Sequence, residues 1–460
     1  MGWGFNKYGR ALLAWGEDIV KTSKKLGKDD PRRVIHSLKV GLALTLISLY
    51  YYFQPLYDGF GLDAMWAVLT VLLVFEFSVG GTIGKLVNRI GGTLLAGALA
   101  LGLHRLAILL GEVGQIVMLV ISVFSIGAMI TFLRFFPAMK ARYDYGLLIF
   151  LLTFCVVTVS GYGELEVFEI VYHRLSTVII GSFVALSVCI FIFLVWIGTD
   201  LHNFVANNLE KLALILDGFG DEYFATIENN GEKNDKCYYV DRYKSVLNSK
   251  ATEETMANLA RWEPCHRRFM WSHPWNQYLK VGALTRQCAY QLQALHGYLD
   301  SDLFQACTEI QMKIKEPCKI ICSECGKALK ELAAAIKGHY LSTSPSSEIK
   351  TAKTAIENLN SIMKTQSLWE DLDEQVLKII PNVFEVSSQL MSVASCVQDI
   401  EEAVVELASL AHFKSAVVHG DSVDPTTQDH QHQHVLHLGV VIPIVEESDD
   451  HHHVIYNPLN

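Results

Sequence analysis

The 460-residue chain changes rhythm at about residue 200. Before that point polar positions are rare and apolar ones run on without alternation. Six apolar stretches can be drawn, at about 36–53, 64–80, 91–110, 115–136, 145–160 and 174–197. Each approaches the roughly 20 residues that a helix needs to cross a bilayer. The pattern predicts six membrane helices, paired through short loops. Asp30-Pro31 stands just ahead of the first. Asp can cap a helix, and Pro suits the first helical position, where its missing N–H is no loss. Further upstream, Met1–Lys28 mixes Trp3, Phe5, Leu12, Leu13 and Trp15 with Lys7, Arg10, Lys21, Lys24, Lys25 and Lys28. That is a basic amphipathic helix suited to a membrane surface, without the order of a signal peptide.

After residue 199 apolar residues recur at a period near 3.6, at 201–224, 252–262, 276–301, 303–316, 318–338, 348–363 and 369–414, as in a helical bundle. Residues 225–250 read as a polar loop, and Pro317 as the start of a new helix. From His419 the chain turns to His, Gln and Asp, with Pro425, Pro443 and Pro458 as breakers, too polar to bury a core. The expected organisation is therefore a cytosolic basic segment at 1–35, a six-helix membrane domain at 36–198, a cytosolic helical domain at 199–418 and a disordered tail at 419–460. The fold class is an all-α membrane protein with six transmembrane helices followed by a cytosolic helical bundle.

Charge sharpens this division. Residues 36–200 hold 8 Lys/Arg and 9 Asp/Glu, whereas 201–460 hold 22 and 35. The chain as a whole is 19% charged, against roughly 25% for soluble chains. Loop bases fall on one side: eight precede the first span, Lys85 and Arg89 follow the second, and Arg134, Lys140 and Arg142 follow the fourth. By the positive-inside rule both termini are cytosolic. No basic surface interleaved with aromatics stands out, so nucleic acid is not a partner suggested here. Cys318, Cys322 and Cys325 share one helical stretch without a second CxxC or a His pair, and read as core or helix-surface thiols.

The bases inside the membrane part carry the candidate chemistry, because ionisable groups there are costly and face polar interiors. Lys39 lies one turn into the first span. Lys85 and Arg89 share a face if their helix continues, and would repel each other unless a carboxylate or an anion intervened. Glu76, the one acid well inside a span, is a candidate partner. Arg174, on the side where topology asks for no base, points most strongly to an anion pathway. For the others, snorkelling and topology are the plain alternative. Catalysis finds no support: G-x-S-x-G, H-E-x-x-H and Walker loops are all missing from the sequence. Gly80-Gly81-Thr82-Ile83-Gly84-Lys85 is one residue short of a phosphate loop and reads as the end of a membrane helix.

Several segments carry a resemblance. Asp30-Pro-Arg-Arg-Val-Ile-His, Lys39-Val-Gly-Leu-Ala-Leu, Met65-Trp-Ala-Val, Phe75-Glu-Phe-Ser-Val-Gly and Lys85-x-x-Asn88-Arg89 resemble the plant aluminium-activated malate transporters. So do Arg134-Phe-Phe-Pro, Tyr143-Asp-Tyr-Gly, Leu151-Leu-Thr-Phe, Gly220-Asp-Glu-Tyr-Phe, Leu247-Asn-Ser-Lys-Ala-Thr-Glu-Glu and Trp262-Glu263-Pro264. The resemblance runs from about 28 to 340. It implies a homodimeric anion channel in a lipid bilayer that passes malate and other anions, with no cofactor. The implied pore residues are Lys39, Lys85, Arg89, Lys140, Arg142 and Arg174. It also implies a regulatory role for Trp262, Glu263 and Pro264, although the residues alone read as a helix stop with Trp262 packed in the bundle.

The expected outer loops hold Asp58 and Glu164, Glu166 and Glu169 without neighbouring bases. Hard cations prefer such oxygen ligands. The resemblance places aluminium ligands at Asp58 and Glu169, and Leu165 where a third acid is expected, so Glu164 or Glu166 would have to substitute. It leaves activation by the metal open. The short N-terminal extension favours the plasma membrane over the vacuolar one. A coupled organic-acid exporter is the alternative, and a membrane-anchored scaffold a third reading.

Overall fold

A computed structural model describes residues 3–52, 65–160, 164–224, 236–266, 269, 273–299, 308–342, 347–364 and 380–416. The described residues fall into two units, one ending at Ser37 and the other beginning at Leu38. In the first, α1 (Trp3–Asp29) is followed by the start of α2 (Pro31–Tyr52). Asp30 Oδ1 accepts the Arg32 N–H at 3.1 Å and lies 3.2 Å from its Nε. The expected helix start is in place. The tail from 419 lies outside the described residues.

The second unit opens with the rest of α2, then α3 (Met65–Val74), α4 (Val79–Ile108), α5 (Gly111–Leu133), α6 (Pro137–Ser160) and α7 (Glu164–Ile192). Four of these, α4, α5, α6 and 166–192 of α7, are long and apolar enough to cross a membrane. Six equal spans are not seen, because 64–80 is not one helix. Its ten-residue α3 stops at Val74, and α4 begins at Val79. The break is made by side chains. Ser78, in extended conformation, accepts the Gly81 N–H with its Oγ at 3.1 Å. Thr82 Oγ1 accepts the Glu76 N–H at 3.1 Å. The third span therefore starts well before 91, and Lys85 and Arg89 lie in a helix rather than a loop. Glu76 sits in the break, and the Gly80–Lys85 run begins a helix instead of ending one.

Ala43, Ile47, Ala67, Val71, Ala185 and Val188 knit α2, α3 and α7 into one core. Ala96, Ala100, Phe154, Val157 and Val167 join α4, α6 and α7 in another. By contrast α5 buries only Ile130 and exposes Val113, Ile116, Val120, Ile121 and Phe124. Such an apolar wall belongs against acyl chains.

After the break at 193–196 comes a helical bundle: α8 (Ile197–Phe224), α9 (Lys236–Leu247), α10 (Lys250–Ala260), α11 (Trp275–Leu299), α12 (Thr308–Gly338), α13 (Ser347–Lys364) and α14 (Ile380–Leu410). Helix α8 packs chiefly on α12, and α11 on α14. Leu201, Val205, Leu209, Leu212, Leu216 and Phe219 form a fully buried stripe on α8, repeating every three or four residues as a core-facing helix requires.

Three expectations need correction. Helix α9 occupies part of the polar 225–250 stretch. Helix α12 runs through Pro317 without a stop. Ile314, Cys318, Ile321 and Cys322 beside it are fully buried, which offsets a proline cost of about 3 kcal/mol. Finally, β1 (Tyr340–Ser342) pairs in parallel with β2 (Lys414–Ala416), Tyr340 opposite Lys414, so the bundle is not purely helical. Burial pushes the Cys322 thiol well up and that of Cys325 up to about 12, as expected of inert core thiols.

Candidate functional site

Three non-helical segments meet where the membrane-type helices adjoin the bundle: 75–78, 193–196 and 261–266. The Val79 N–H donates to the Val195 carbonyl at 3.1 Å, tying the first two together. The third supplies a carboxylate. The first N–H groups of a helix have no partner within it, and Glu263 accepts two of them at the start of α8: Ile197 N–H on Oε1 at 2.6 Å and Gly198 N–H on Oε2 at 3.0 Å. A negative charge there also suits the helix dipole. His266 stacks on Trp196, ring centroids 3.7 Å apart.

Glycines make this approach possible. A Cβ at Gly80 would collide with the Leu259 carbonyl oxygen and lie 2.8 Å from Glu263 Cγ. One at Gly84, a turn later, would lie 2.9 Å from Trp262 Cδ1. Trp262 therefore does not pack inside the bundle, as the sequence suggested; it sits on α4 and α6. Its ring meets Tyr143 edge-on at 6.5 Å, and the Arg142 guanidinium lies 5.0 Å from its centroid. Helix α10 already ends at Ala260, so Pro264 is not its immediate stop; its carbonyl lies 3.0 Å from His266 Nδ1.

The Glu263 carboxylate is almost fully enclosed. Burial pushes its pKa up to about 7, while the two N–H donors act against the rise and Asp200 adds to it. An unfolded Glu titrates near 4.3. The folded protein thus holds this proton more tightly, so the stabilisation is complete below about pH 4.3 and is lost as pH rises through about 7. Melting temperature should therefore fall between about pH 5 and 8, and Glu263→Gln should flatten that slope. Scanning calorimetry across the range checks it; an unaltered slope would locate the titration elsewhere. Deeper in the bundle, burial lowers His202 to about 3 and His273 to about 4. The Tyr278 hydroxyl bridges the two, at 2.8 and 3.3 Å.

Beside the junction the cationic residues form a graded series. Lys39 is buried, and its Nζ donates to the Phe193 carbonyl. Lys85 pairs with Glu76, the partner considered from sequence, and lies 5.6 Å from the Tyr145 ring. Arg89 is 4% exposed. One of its amino groups donates to the Tyr145 hydroxyl at 2.9 Å, and its Nε has no hydrogen-bond partner among the described residues. No carboxylate pairs with it there. Arg174, 5% exposed, lies inside α7 rather than at a span's opening, and stacks 3.8 Å over Trp66. A Cβ on Gly97 would meet Val171 at 2.7 Å, while Thr82, earlier on α4, lies 3.8 Å from Cys189, later on α7, so α4 and α7 run antiparallel. Arg174 is then roughly 7 Å further from the junction than Arg89, at about 1.5 Å rise per residue. Lys140 and Arg142 are exposed, while Arg134 grips Asp144 with two bonds of 2.7 and 3.2 Å.

Among the described residues no group of three His, Cys, Asp or Glu side chains is placed to hold a metal ion. Asp58 lies outside the described residues, as do the side chains of Glu164 and Leu165. Glu166 and Glu169 are exposed on the first turns of α7, Glu169 being 3.9 Å from His173. Sequence reasoning missed Tyr145, Trp66 and the Gly80/Gly84 seat. The small-xxx-small spacing was the available signal for the last.

The family model described as aluminium activated malate transporter matches residues 24–378, which take in every residue of this junction. The chain belongs to the aluminium-activated malate transporter family. Its relatives include aluminum-activated malate transporter 2 of Arabidopsis thaliana, 46% identical over 86% of this chain and 79% of that protein. Aluminum-activated malate transporter 1 of the same plant is 41% identical over 95% and 87%. Aluminum-activated malate transporter 1 of Triticum aestivum is 39% identical over 88% of each. The aluminium-activated malate transporters are a family of membrane transport proteins, not of enzymes, and the apolar helices of this chain accord with that.

Proposed function

We propose that the chain is a homodimeric anion channel that passes malate, and inorganic anions beside it, across a plant plasma membrane. Arg89 carries the reading. A guanidinium buried with no carboxylate partner among the described residues costs several kcal/mol unless an anion relieves it. Malate, the ion named in the relatives' titles, is such an anion. Lys39, Lys85, Arg89 and Arg174 line the path, and Lys140 and Arg142 stand at its cytosolic mouth. Both termini face the cytosol, 199–418 forms the cytosolic domain, and Trp262-Glu263-Pro264 couples that domain to the pore.

A proton-coupled exporter would need a free intramembrane acid; Glu76 is engaged with Lys85, which favours the channel. Whole-cell recording with malate, then chloride, as the only permeant anion tests the reading. A reversal potential that follows the anion gradient supports a channel, and one that follows the proton gradient supports the exporter. For aluminium, Asp58, Glu169 and either Glu164 or Glu166 would be external ligands whose charge otherwise repels malate. External aluminium at acidic pH is then expected to raise the current, and Asp58→Asn with Glu169→Gln to abolish the rise. A double variant that responds like its parent removes these residues from gating.

A further inference from the structure

Between α4, α5 and α6 lies a cavity of about 440 Å³, lined by Val87, Gly91 and Leu95, by Ile130, and by Leu147 and Phe150. It opens at the surface, since Val87 and Leu95 are exposed. Helices α4 and α6 cannot approach further to close it. A Cβ on Gly92 would already lie 2.7 Å from the Gly146 carbonyl, and one on Gly146 2.7 Å from Asn88 Oδ1. A Cβ on Gly91, by contrast, meets nothing within 4 Å and looks into open space. Of the polar side chains on the wall, the Asn88 amide donates to the carbonyls of Gly84 and Arg142 at 2.8 and 3.2 Å. Little polar surface is left to hold water, which needs two to four polar partners.

One end of the cavity has a different character. Met139 and Tyr143 line it there, on the turns of α6 that carry Lys140 and Arg142. The Arg142 guanidinium lies 5.6 Å from the Tyr143 ring. Phe135 and Phe136 are exposed alongside, and aromatics with bases mark the interface level of a membrane. The neighbouring acid, Asp144, is taken by Arg134. An apolar slot running into an exposed pair of bases matches one amphiphile: a chain below, an anionic phosphate above.

We propose that this cavity is a binding site for an anionic phospholipid, with an acyl chain along Gly91 and Leu95 and the phosphate held by Lys140 and Arg142. Because Arg142 also lies over Trp262, the headgroup would touch the junction described above. The inference rests on cavity and charge, not on the channel reading, and its test records no current.

The full chain is reconstituted in nanodiscs of phosphatidylcholine with phosphatidylglycerol, extracted in detergent, and its retained lipid counted by native mass spectrometry. The expected result is retained phosphatidylglycerol, enriched about tenfold over its share of the bilayer. Gly91→Leu should remove it by filling the slot. Leu95→Trp, at an exposed rim position, should do the same without burden on the fold. Lys140→Gln with Arg142→Gln should keep a lipid but lose the preference for phosphatidylglycerol. Glycerol phosphate, a headgroup without chains, should not compete. Unchanged retention in both cavity variants would overturn the proposal. So would disulfide capture of a second copy through Leu95→Cys, which would make this face a contact between chains.

Discussion

Replacing Gly80 with valine is expected to silence malate current while the protein still reaches the membrane. The new Cβ would meet the Leu259 carbonyl and Glu263 Cγ, and a backbone oxygen in the last turn of α10 cannot swing aside. Overpacking of this kind costs about 1–3 kcal/mol, occasionally more. The least costly relief is for the end of α10 and the 261–263 segment after it to lift from α4. That movement draws Glu263 from the Ile197 and Gly198 N–H groups and Trp262 from its seat on Gly84. Current should fall by about tenfold or more. Gly102→Val is the matched control, because a Cβ there meets nothing within 4 Å on the same helix. Whole-cell current normalised to surface-labelled protein reads both. Equal current from the two variants would mean that the junction does not govern conduction.

The second large effect is expected at Arg89. Arg89→Leu removes a buried charge and leaves the Tyr145 hydroxyl without its guanidinium partner. If malate supplies the missing countercharge, current should drop by about tenfold, and Arg89→Lys should restore part of it. Arg174→Ala should lower current in the same direction, by about threefold, since Trp66 loses the cation above its face. Single-channel conductance separates this from a targeting defect. Thermal melts add an independent reading: an unpaired buried cation is a liability, so Arg89→Leu should melt no lower than the parent. A variant that melts lower yet conducts normally would make Arg89 structural.

Much of this was legible in the residues themselves. Asp30-Pro31 announced the start of α2 through local cap chemistry. Periodicity drew the bundle helices, and spacing put Lys85 and Arg89 on one face, with Glu76 as a candidate partner for one of the bases. What stayed hidden depended on distant partners. Averaged over Val74 to Val79 the chain stays apolar despite Glu76 and Ser78, so nothing in that average marks the end of α3. The break is decided by Ser78 and Thr82 and by a hydrogen bond to Val195, more than a hundred residues later. Trp262 read as a bundle residue because its neighbours in sequence are; its seat is Gly84, on another part of the chain. Pro317 read as a boundary because proline lacks an N–H, yet the burial around it holds the helix together.

The contrast between α3 and α5 bears on how the protein is made. Helix α5 buries little but Ile130, so its own hydropathy suffices to carry it into a bilayer as it leaves the ribosome. Helix α3 has ten described residues, Met65–Val74, fewer than the roughly 20 that span one. Its Ala67 and Val71 find their core against Ala185 and Val188 of α7, which is synthesised more than a hundred residues later. Residues 65–74 therefore reach their final depth only after α7 has emerged. Biogenesis has a late docking step, and chains truncated before α7 would present an unfinished segment to quality control.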